Sequence, residues 1–420
     1  MNGFSYFEGE MMAEELPVAS IAEQFGTPLY IYSKAGIEAG YWSYEQPLAG
    51  TPHFICYAVK ANSNLAVLNV LARMGSGFDI VSVGELERVI AAGGNPNKIV
   101  FSGVGKQIHE IQRAIEVGIH CFNVESKTEL QRIQSVAQSL DTTVQISLRV
   151  NPDIDAQAHP YISTGLKNSK FGIDINQASG VYKEASTMPN IRVIGIGYHI
   201  GSQIMSKKPL LDALDRVLVL VDQLKKQNIS LQHIDIGGGL GVKYKDEVAP
   251  AAASYLCEVL KKLEGRKLTL IVEPGRFIAA EAGILLTRVE LIKHAMDKSF
   301  AIVDAAMNDL LRPSIYDAWH AIDPVQLKAD PSFPKSAVYD IVGPICETGD
   351  FLGKGRVLQL QENDLLAIRC AGAYGFVMSS NYNSRNRSAE VMVSKDKVRL
   401  IRRRETIEDQ IALEKVFPET

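Results

Sequence analysis

Between residues 50 and 275 the chain repeats one pattern eight times: a short, almost continuously apolar run, followed in most cases by a segment with helical periodicity. Such runs are typical of parallel strands buried on both faces. Eight strands with helical crossovers predict a TIM-like (β/α)8 barrel. A doubly wound open sheet remains the alternative, because periodicity does not reveal closure. The runs are 53–60, 78–82, 99–103, 120–126, 144–150, 191–200, 233–239 and 268–275.

After about residue 280 the pattern changes to short β-type runs with few helical segments. This change predicts a second domain that is mainly antiparallel, a β-sandwich or β-barrel. Because the apolar run 28–33 precedes the eight-strand count, the N-terminal segment is expected to join it. The predicted domains are the barrel at 31–280 and a discontinuous β domain formed by 1–30 and 281–420.

The formal charge of −4 argues against nucleic acid or an anionic membrane as the main partner. The five scattered cysteines contain no C-x-x-C, which suits a reducing compartment and indicates no metal site. The N-terminus lacks the pattern of a signal peptide, and no run approaches the ~20 apolar residues of a membrane span. We therefore expect a cytoplasmic protein without membrane partners.

Functional groups of such barrels gather at the carboxyl ends of the strands. Lys60 closes the first predicted strand, where a buried lysine is costly unless it is paired or used. Its position fits either a lysine that reaches solvent or an amine that forms a Schiff base. His199 ends the sixth strand, near Ser202, and fits a site role as well as a structural one.

The seventh strand ends in a glycine run, Gly237 to Gly241, and the eighth in E-P-G-R, Glu273 to Arg276. Residues without side chains let backbone N–H groups approach a phosphate, although a plain turn would also use glycine. Arg276 can bind a phosphate or carboxylate. Glu273 fits either a structural ion pair, perhaps with Arg276, or a carboxylate facing a basic ring nitrogen.

Eight motifs in order across nearly the whole chain resemble those of the fold-type III decarboxylases that use pyridoxal 5'-phosphate (PLP), the group containing the diaminopimelate, ornithine and arginine decarboxylases. The motifs are Y-A-V-K-A-N around Lys60, G-F-D-I-V-S-V-G-E-L at 77–86, H-P-Y-I-S-T-G…S-K-F-G-I at 159–173, H-I-G-S-Q, G-G-G-L-G, E-P-G-R, C-E-T-G-D and G-A-Y-G.

The resemblance implies a role for each cofactor-binding candidate. Lys60 would form the Schiff base with PLP, and Glu273 would pair with the pyridine nitrogen. His199 would lie against the ring, with Ser202 nearby, and Asp79 would support the lysine. The phosphate group would be held by residues from the last two strand ends and from the β domain: Gly238, Gly239, Gly275, Arg276 and Tyr374.

In this family the C-E-T-G-D loop comes from the neighbouring subunit, which implies a homodimer with shared active sites. Cys346 would then be the acid that protonates the carbanion left by CO2, and Glu347 would meet a distal ammonium. By itself, Cys346 fits a small buried thiol in the β domain better than an acid.

The set L-R-P-x-x-Y…C-E-T-G-D is more similar to the diaminopimelate-specific members of the family than to the ornithine-specific ones. Arg312 suits bidentate contact with a distal carboxylate, and a helix would put Tyr316 on the same face. Arg276 and Tyr374 would be further substrate contacts. The alternative is that Arg312 is a surface arginine beside a proline and does not contact the substrate.

The implied activity is decarboxylation of meso-2,6-diaminopimelate to L-lysine and CO2, the last step of lysine biosynthesis. Relatives that act on carboxynorspermidine, ornithine, arginine or a carrier-bound amino acid remain alternatives, as does a non-catalytic PLP carrier. Alanine racemase shares the plan of barrel plus β domain. It typically places an arginine at the pyridine nitrogen, so Glu273 argues against it.

Overall fold

The computed structural model describes residues 3–155, 170–296, 298–328 and 335–417. It divides the chain into two units. One contains residues 1–37, 244–246 and 279–420, and the other contains 38–243 and 247–278. The N-terminal elements are β1 (Phe4–Phe7), β2 (Glu10–Ala13), β3 (Leu16–Pro17), α1 (Val18–Phe25), β4 (Leu29–Ser33) and α2 (Lys34–Leu48).

Eight parallel strands close into a barrel. They pair in chain order, and the last of them pairs with the first. The predicted closed barrel is therefore confirmed, and the open sheet is excluded. The strands are β5 (His53–Ala58), β6 (Gly77–Ile80), β7 (Ile99–Phe101), β8 (Cys121–Val124), β9 (Val144–Asn151), β11 (Ile191–Gly197), β12 (His233–Asp235) and β13 (Thr269–Val272). A short β10 (Ile173–Asp174) pairs in parallel with the end of β9.

Helices follow the barrel strands, and three of them begin at a capping serine: Ser82, Ser126 and Ser206. The hydroxyls of Ser82 and Ser126 accept the N–H groups of Glu85 and Glu129, which satisfies one of the unpaired donors at each helix start. The helices of this part are α3 (Leu65–Arg73), α4 (Val83–Ala91), α5 (Ile108–Val117), α6 (Lys127–Ser139), α7 (Ile175–Thr187), α8 (Lys207–Lys226), α9 (Ala252–Leu263) and α10 (Arg276–Ala279).

Seven of the eight barrel strands end before the predicted run does, including the two that were predicted to carry Lys60 and His199. Lys60 lies in a 3-10 turn at Val59–Ala61, beyond the end of β5, and His199 lies two residues beyond β11. The apolar runs continue past the strands because Val59 and Ala61 stay buried in the turn. The helix α7 was not predicted, because its small and polar residues give only a weak apolar stripe.

The C-terminal elements form a mainly antiparallel β domain, as predicted. Its central strand β14 pairs with β4, so the chain before the barrel joins this sheet, and Ile31–Ser33 lie in the sheet rather than at the start of the barrel. The elements are β14 (Gly283–His294), β15 (Ser299–Val303), α11 (Arg312–Tyr316), β16 (Ile322–Pro324), β17 (Ala337–Val342), β18 (Phe351–Leu358), β19 (Leu365–Ile368), β20 (Ala389–Ser394), β21 (Lys397–Arg402) and α12 (Ile407–Ile411).

Each of the two units contains an apolar cluster of its own. Inside the barrel, Cys56, Val100, Cys121, Ile194 and Ile271 are buried together. The β domain buries a larger cluster drawn from β2, α1, β4, β14 and β20. Across the described ranges of the chain, no helix combines the length and apolarity that a bilayer crossing requires.

A substitution at one barrel glycine, Gly195, can test how tightly side chains pack inside the barrel near the start of β12. A Cβ added at Gly195 of β11 would lie 1.9 Å from Nε2 of the buried His233. We expect Gly195→Ala to lower the free energy of unfolding by about 1–3 kcal/mol through overpacking. Urea denaturation followed by circular dichroism measures this change.

The matched control is Gly180→Ala in α7, where an added Cβ meets nothing within 4 Å. Alanine is favoured over glycine by about 0.8–1.0 kcal/mol inside a helix, so this variant should be at least as stable as the wild type. Equal stability of the two variants would contradict the packing described for β11 and β12.

Candidate active site in the barrel

Lys60 and Asp79 form an ion pair at the carboxyl end of the barrel. Ala58, the last residue of β5, pairs with Asp79 of β6, and the Lys60 Nζ lies 2.6 Å from the Asp79 Oδ2. Asp79 is fully buried, and its other oxygen has no hydrogen-bond partner among the described residues. The buried carboxylate therefore holds the amine at a defined position.

The pocket at this end of the barrel has a volume of about 410 Å³. It brings together Lys60, His199 and Glu273, three residues that sequence analysis had singled out from three different strand ends. Polar residues of other strands line the same pocket, among them Asn123, Arg149 and Asp235.

Two carboxyl groups of the pocket, Glu273 and Asp235, are hydrogen-bonded to each other. The Asn123 amide donates to the Asp235 Oδ2 at 3.2 Å and to the Glu273 Oε1 at 3.4 Å, and the Ser102 hydroxyl donates to the Glu273 Oε1 at 3.4 Å. Burial raises the pKa of both carboxyls, and the neighbouring Asp235 and Asp79 raise the pKa of Glu273 further. The pair therefore retains a proton at neutral pH.

His199 is held as a neutral imidazole. Burial lowers its pKa well below the ordinary value, and the nearby cations of Arg149 and Lys60 lower it further. The backbone N–H of Gly238 donates to the His199 Nδ1 at 3.3 Å, so the ring proton is on Nε2.

The glycine run after β12 has room for backbone only. A Cβ on Gly238 would lie 2.2 Å from the Glu273 carbonyl oxygen, and one on Gly239, whose φ is +106°, would lie 2.4 Å from the Gly201 carbonyl oxygen. A Cβ on Gly275 would lie 3.0 Å from the Cβ atoms of two alanines. Bare backbone of this kind is what a phosphate cradle requires.

Arg276 directly follows Gly275 in the chain and is the first residue of α10. Its Nε and Nη2 both donate to the Ser202 hydroxyl oxygen, at 3.3 and 3.1 Å. The hypothesis of an ion pair between Arg276 and Glu273 finds no support in these contacts, because Glu273 bonds to Asp235, Asn123 and Ser102 instead. Arg276 is buried and supplies a fixed cation beside the glycine run.

In the β domain, Arg312 begins α11 and is buried, so it is not a surface arginine. Its Nη1 lies 2.8 Å from the His320 Nε2, and its guanidinium lies over the Tyr244 ring at 4.7 Å. The stretch from Arg312 to Tyr316 is one helical turn, the condition under which the two residues share a face. Tyr374 has a positive φ of 56° within G-A-Y-G.

The C-E-T-G-D loop also belongs to the β domain. Cys346 is exposed, which contradicts its interpretation as a buried thiol, and its N–H donates to the Asn383 Oδ1 at 2.8 Å. Glu347 is exposed and bonds to the Tyr382 hydroxyl. The Ser314 hydroxyl of α11 donates to the Gly349 carbonyl oxygen at 2.8 Å, which ties this loop to the helix that carries Arg312.

Sequence analysis missed Asp235, Asn123, Ser102 and Arg149. Each is a polar residue at the carboxyl end of an otherwise apolar strand or directly after it. That signal was available, because every such position in a closed barrel faces the same mouth. In the motif 159–173, residues 159–169 lie outside the described part of the chain.

Comparisons with known proteins agree with this geometry. Residues 34–280 match the family model of the pyridoxal-dependent decarboxylases, pyridoxal binding domain. The chain is 58% identical to the diaminopimelate decarboxylase of Pseudomonas aeruginosa and 56% identical to that of Vibrio cholerae, over 100% of each chain in both cases.

Solved structures give the same result. Diaminopimelate decarboxylase from Helicobacter pylori, complexed with L-lysine, matches with a TM-score of 0.90 and 42% identity over 94% of this chain and 99% of that one. The enzyme from M. jannaschii, also in complex with L-lysine, matches with a TM-score of 0.93 and 37% identity over 99% and 98%.

A barrel whose mouth carries a paired lysine, a buried acid and a glycine-lined turn defines a PLP-dependent enzyme of the barrel type. This chain belongs to the pyridoxal-dependent decarboxylase family, within which its relatives are diaminopimelate decarboxylases. The residues present fit the cofactor: an amine for its aldehyde, a protonated carboxyl for its ring nitrogen, and backbone without Cβ atoms beside Arg276 for its phosphate.

The buried acid makes a prediction about the cofactor-free protein. Because the folded-state pKa of Glu273 is raised, the native state binds more protons than the unfolded state between the ordinary carboxyl pKa and the raised one. Stability therefore falls as pH rises through that window. We expect Glu273→Gln to reduce the fall in melting temperature as pH rises from the ordinary carboxyl range through neutrality, measured by differential scanning fluorimetry without PLP.

The control is Glu87→Gln. Glu87 is exposed, and Arg113, at 2.6 Å, lowers its pKa, so its contribution has the opposite sign and is small. If Glu273→Gln and the wild type lose the same melting temperature over this range, Glu273 is ionised in the folded apoprotein and the pair does not retain its proton.

Proposed function

We propose that this enzyme decarboxylates meso-2,6-diaminopimelate to L-lysine and CO2, the last step of lysine biosynthesis. The observation that carries the proposal is the meeting of Lys60 and the Glu273–Asp235 pair in one pocket. The substrate follows from the relatives, which are named diaminopimelate decarboxylases over their full lengths, and from their structures with L-lysine.

In this proposal the barrel holds PLP. Lys60, positioned by Asp79, would bond to its aldehyde, and His199 would pack its neutral ring against the cofactor. The residues that would hold the phosphate are Gly238, Gly239 and Gly275, through their backbone, and Arg276, Ser202 and Tyr374, through their side chains. When bound, PLP supplies an electron sink for the pair of electrons that CO2 leaves behind.

Glu273 sets the strength of that sink by means of its proton. Its Oε1 accepts hydrogen bonds from Asn123 and Ser102, and burial keeps the carboxyl protonated. A basic ring nitrogen placed against Glu273 would take up this proton, and the carboxylate left on Glu273 would pair with the resulting cation. Asp235 would keep the hydrogen bond that it accepts from Asn123.

The acid that finishes the reaction comes, in this proposal, from the partner subunit of a homodimer. None of the residues that line the described pocket is a cysteine, whereas Cys346 is an exposed thiol on a loop of the β domain. Cys346 would donate the proton that replaces CO2 on the substrate carbon. Glu347 of the same loop binds the distal ammonium.

The distal carboxylate distinguishes diaminopimelate from ornithine. Arg312 binds it in a bidentate contact, Tyr316 lies one helical turn further along α11, and Arg276 and Tyr374 are additional contacts. The location proposed for the enzyme is the cytoplasm. In the described chain, Cys56, Cys121, Cys257 and Cys346 are free thiols, as suits a reducing compartment.

The proposal is tested by measuring L-lysine and CO2 produced from meso-diaminopimelate by the purified protein with PLP. Ornithine, arginine, carboxynorspermidine and a carrier-bound substrate are assayed in parallel. We expect turnover of diaminopimelate alone. Lys60→Ala should abolish both turnover and the visible absorbance of covalently bound cofactor, while Lys261→Ala, on the exposed face of α9, should change neither. Preferred turnover of another substrate, or cofactor absorbance without any decarboxylation, would contradict the proposal.

Shared active sites make a separate prediction. If Cys346 acts across a dimer, mixing Lys60→Ala and Cys346→Ala subunits creates hybrids with one intact site each. Random reassortment of an equal mixture makes half of the dimers hybrids, so activity should return to roughly a quarter of the wild-type value. Each variant alone should lose about 10²-fold or more in kcat.

The mixture is compared with each variant at the same total concentration after unfolding and refolding together. Cys257→Ala replaces Cys346→Ala in the control, since Cys257 is exposed on the outside of the barrel. A mixture no more active than its components would mean that Lys60 and Cys346 of the same chain work together.

A further inference from the structure

His320 lies in the β domain between the end of α11 and β16. It is fully buried. Its Nε2 lies 2.8 Å from the Arg312 Nη1, and its Nδ1 lies 2.7 Å from the Arg369 carbonyl oxygen. The ring of Tyr244 packs against it edge-on, with 5.2 Å between the ring centroids.

These contacts determine which nitrogen of His320 carries its proton. A carbonyl oxygen only accepts, so the Nδ1 of His320 must donate to Arg369. A guanidinium only donates, so the Nε2 must accept from Arg312. His320 is therefore a neutral imidazole with a fixed tautomer and a lone pair aimed at Arg312.

The sheet holds His320 in place. It comes two residues before β16, which pairs with β19, and Arg369 directly follows β19. The Arg369 N–H donates to the Ala321 carbonyl oxygen at 2.8 Å, which continues the ladder to the position beside His320. The carbonyl that receives the His320 proton is thus part of the sheet.

Arg312 is consequently held from two directions. His320 accepts one N–H in the guanidinium plane, and the Tyr244 ring lies against its face at 4.7 Å. A bidentate contact with a carboxylate uses two parallel N–H groups, so it depends on the orientation of that plane. Fixing the plane in advance reduces the rotamer entropy lost when a carboxylate binds.

We propose that His320 is a positioning residue that orients Arg312 for the one carboxylate that substrate and product have in common. Decarboxylation removes the carboxylate at the reacting carbon, so the distal carboxylate of diaminopimelate is the one that L-lysine keeps. This inference rests on the proposed function, with Arg312 as the distal carboxylate contact. It assigns to His320 the selectivity for ligands that bear this group.

The test compares two competitive inhibitors of the holoenzyme: L-lysine, and 1,5-diaminopentane, which is the same diamine without the carboxylate. We expect His320→Leu to raise the KM for diaminopimelate and the inhibition constant of L-lysine roughly tenfold. The kcat should change less than about threefold, and inhibition by 1,5-diaminopentane should stay the same. Arg312→Ala serves as the reference for complete loss of the carboxylate contact.

His320→Gln is the matched variant, because its amide has both a donor and an acceptor and should restore most of the selectivity for L-lysine. If His320→Leu fails to fold, Tyr244→Leu decides the question, since it removes the ring that packs on the guanidinium and should weaken L-lysine more than 1,5-diaminopentane.

Two results would overturn the inference: an unchanged inhibition constant for L-lysine in a folded variant, or equal weakening of both inhibitors, which a merely structural histidine would produce. Failure of the wild type to decarboxylate diaminopimelate would instead reject the proposed function, so the two failures are distinguishable.

Discussion

The active site depends on the hydrogen bonding between the first and last strands of the barrel. Residues 53–55 of β5 pair with residues 270–272 of β13, although more than 200 positions separate them in the chain. This pairing closes the sheet and brings the turn after β5, which carries Lys60, beside the turn after β13, which carries Glu273. Without closure these two groups would lie at opposite edges of an open sheet.

Closure also concentrates negative charge. Asp79, Asp235 and Glu273 are buried at one mouth of the barrel, and isolated buried carboxylates are costly. The chain offsets this cost in two ways: Asp79 pairs with Lys60, and the other two carboxyls share a proton. The same arrangement that avoids two adjacent buried charges leaves a proton available to a cofactor nitrogen, so stability and chemistry depend on one hydrogen-bonded pair.

The β domain organises its functional groups differently. One helical turn, α11, carries Arg312 at its start and is bonded through Ser314 to the loop of Cys346 and Glu347. His320 and Tyr244 hold the arginine, and His320 is in turn bonded to the carbonyl of Arg369 beside the sheet. The groups proposed to bind the distal end of the substrate lie on short turns and loops. The neighbouring sheet supports them.

Much of this fold follows from local pattern. Eight apolar runs with helical segments between them predicted the barrel, because a strand buried on both faces must be apolar throughout. Unusual residues at the strand ends, such as Lys60 and the glycine run, predicted where the site lies. Local pattern failed where it was weak, as in α7, or where burial continued beyond the strand, as at Val59 and Ala61.

The sequence by itself therefore determined the order of the elements and the residue types at the barrel mouth. Tertiary structure alone decided that the barrel closes, that Glu273 bonds to Asp235 rather than to Arg276, and that His320 holds Arg312. The physical reason is that these contacts depend on segments remote in the chain: barrel closure and the Glu273–Asp235 contact join different strand ends, and the Arg369 carbonyl that orients His320 is 49 positions away from it. A hydrogen bond tolerates a variation of only a few tenths of an ångström in the distance between donor and acceptor. Only the packing of whole elements sets that distance so closely.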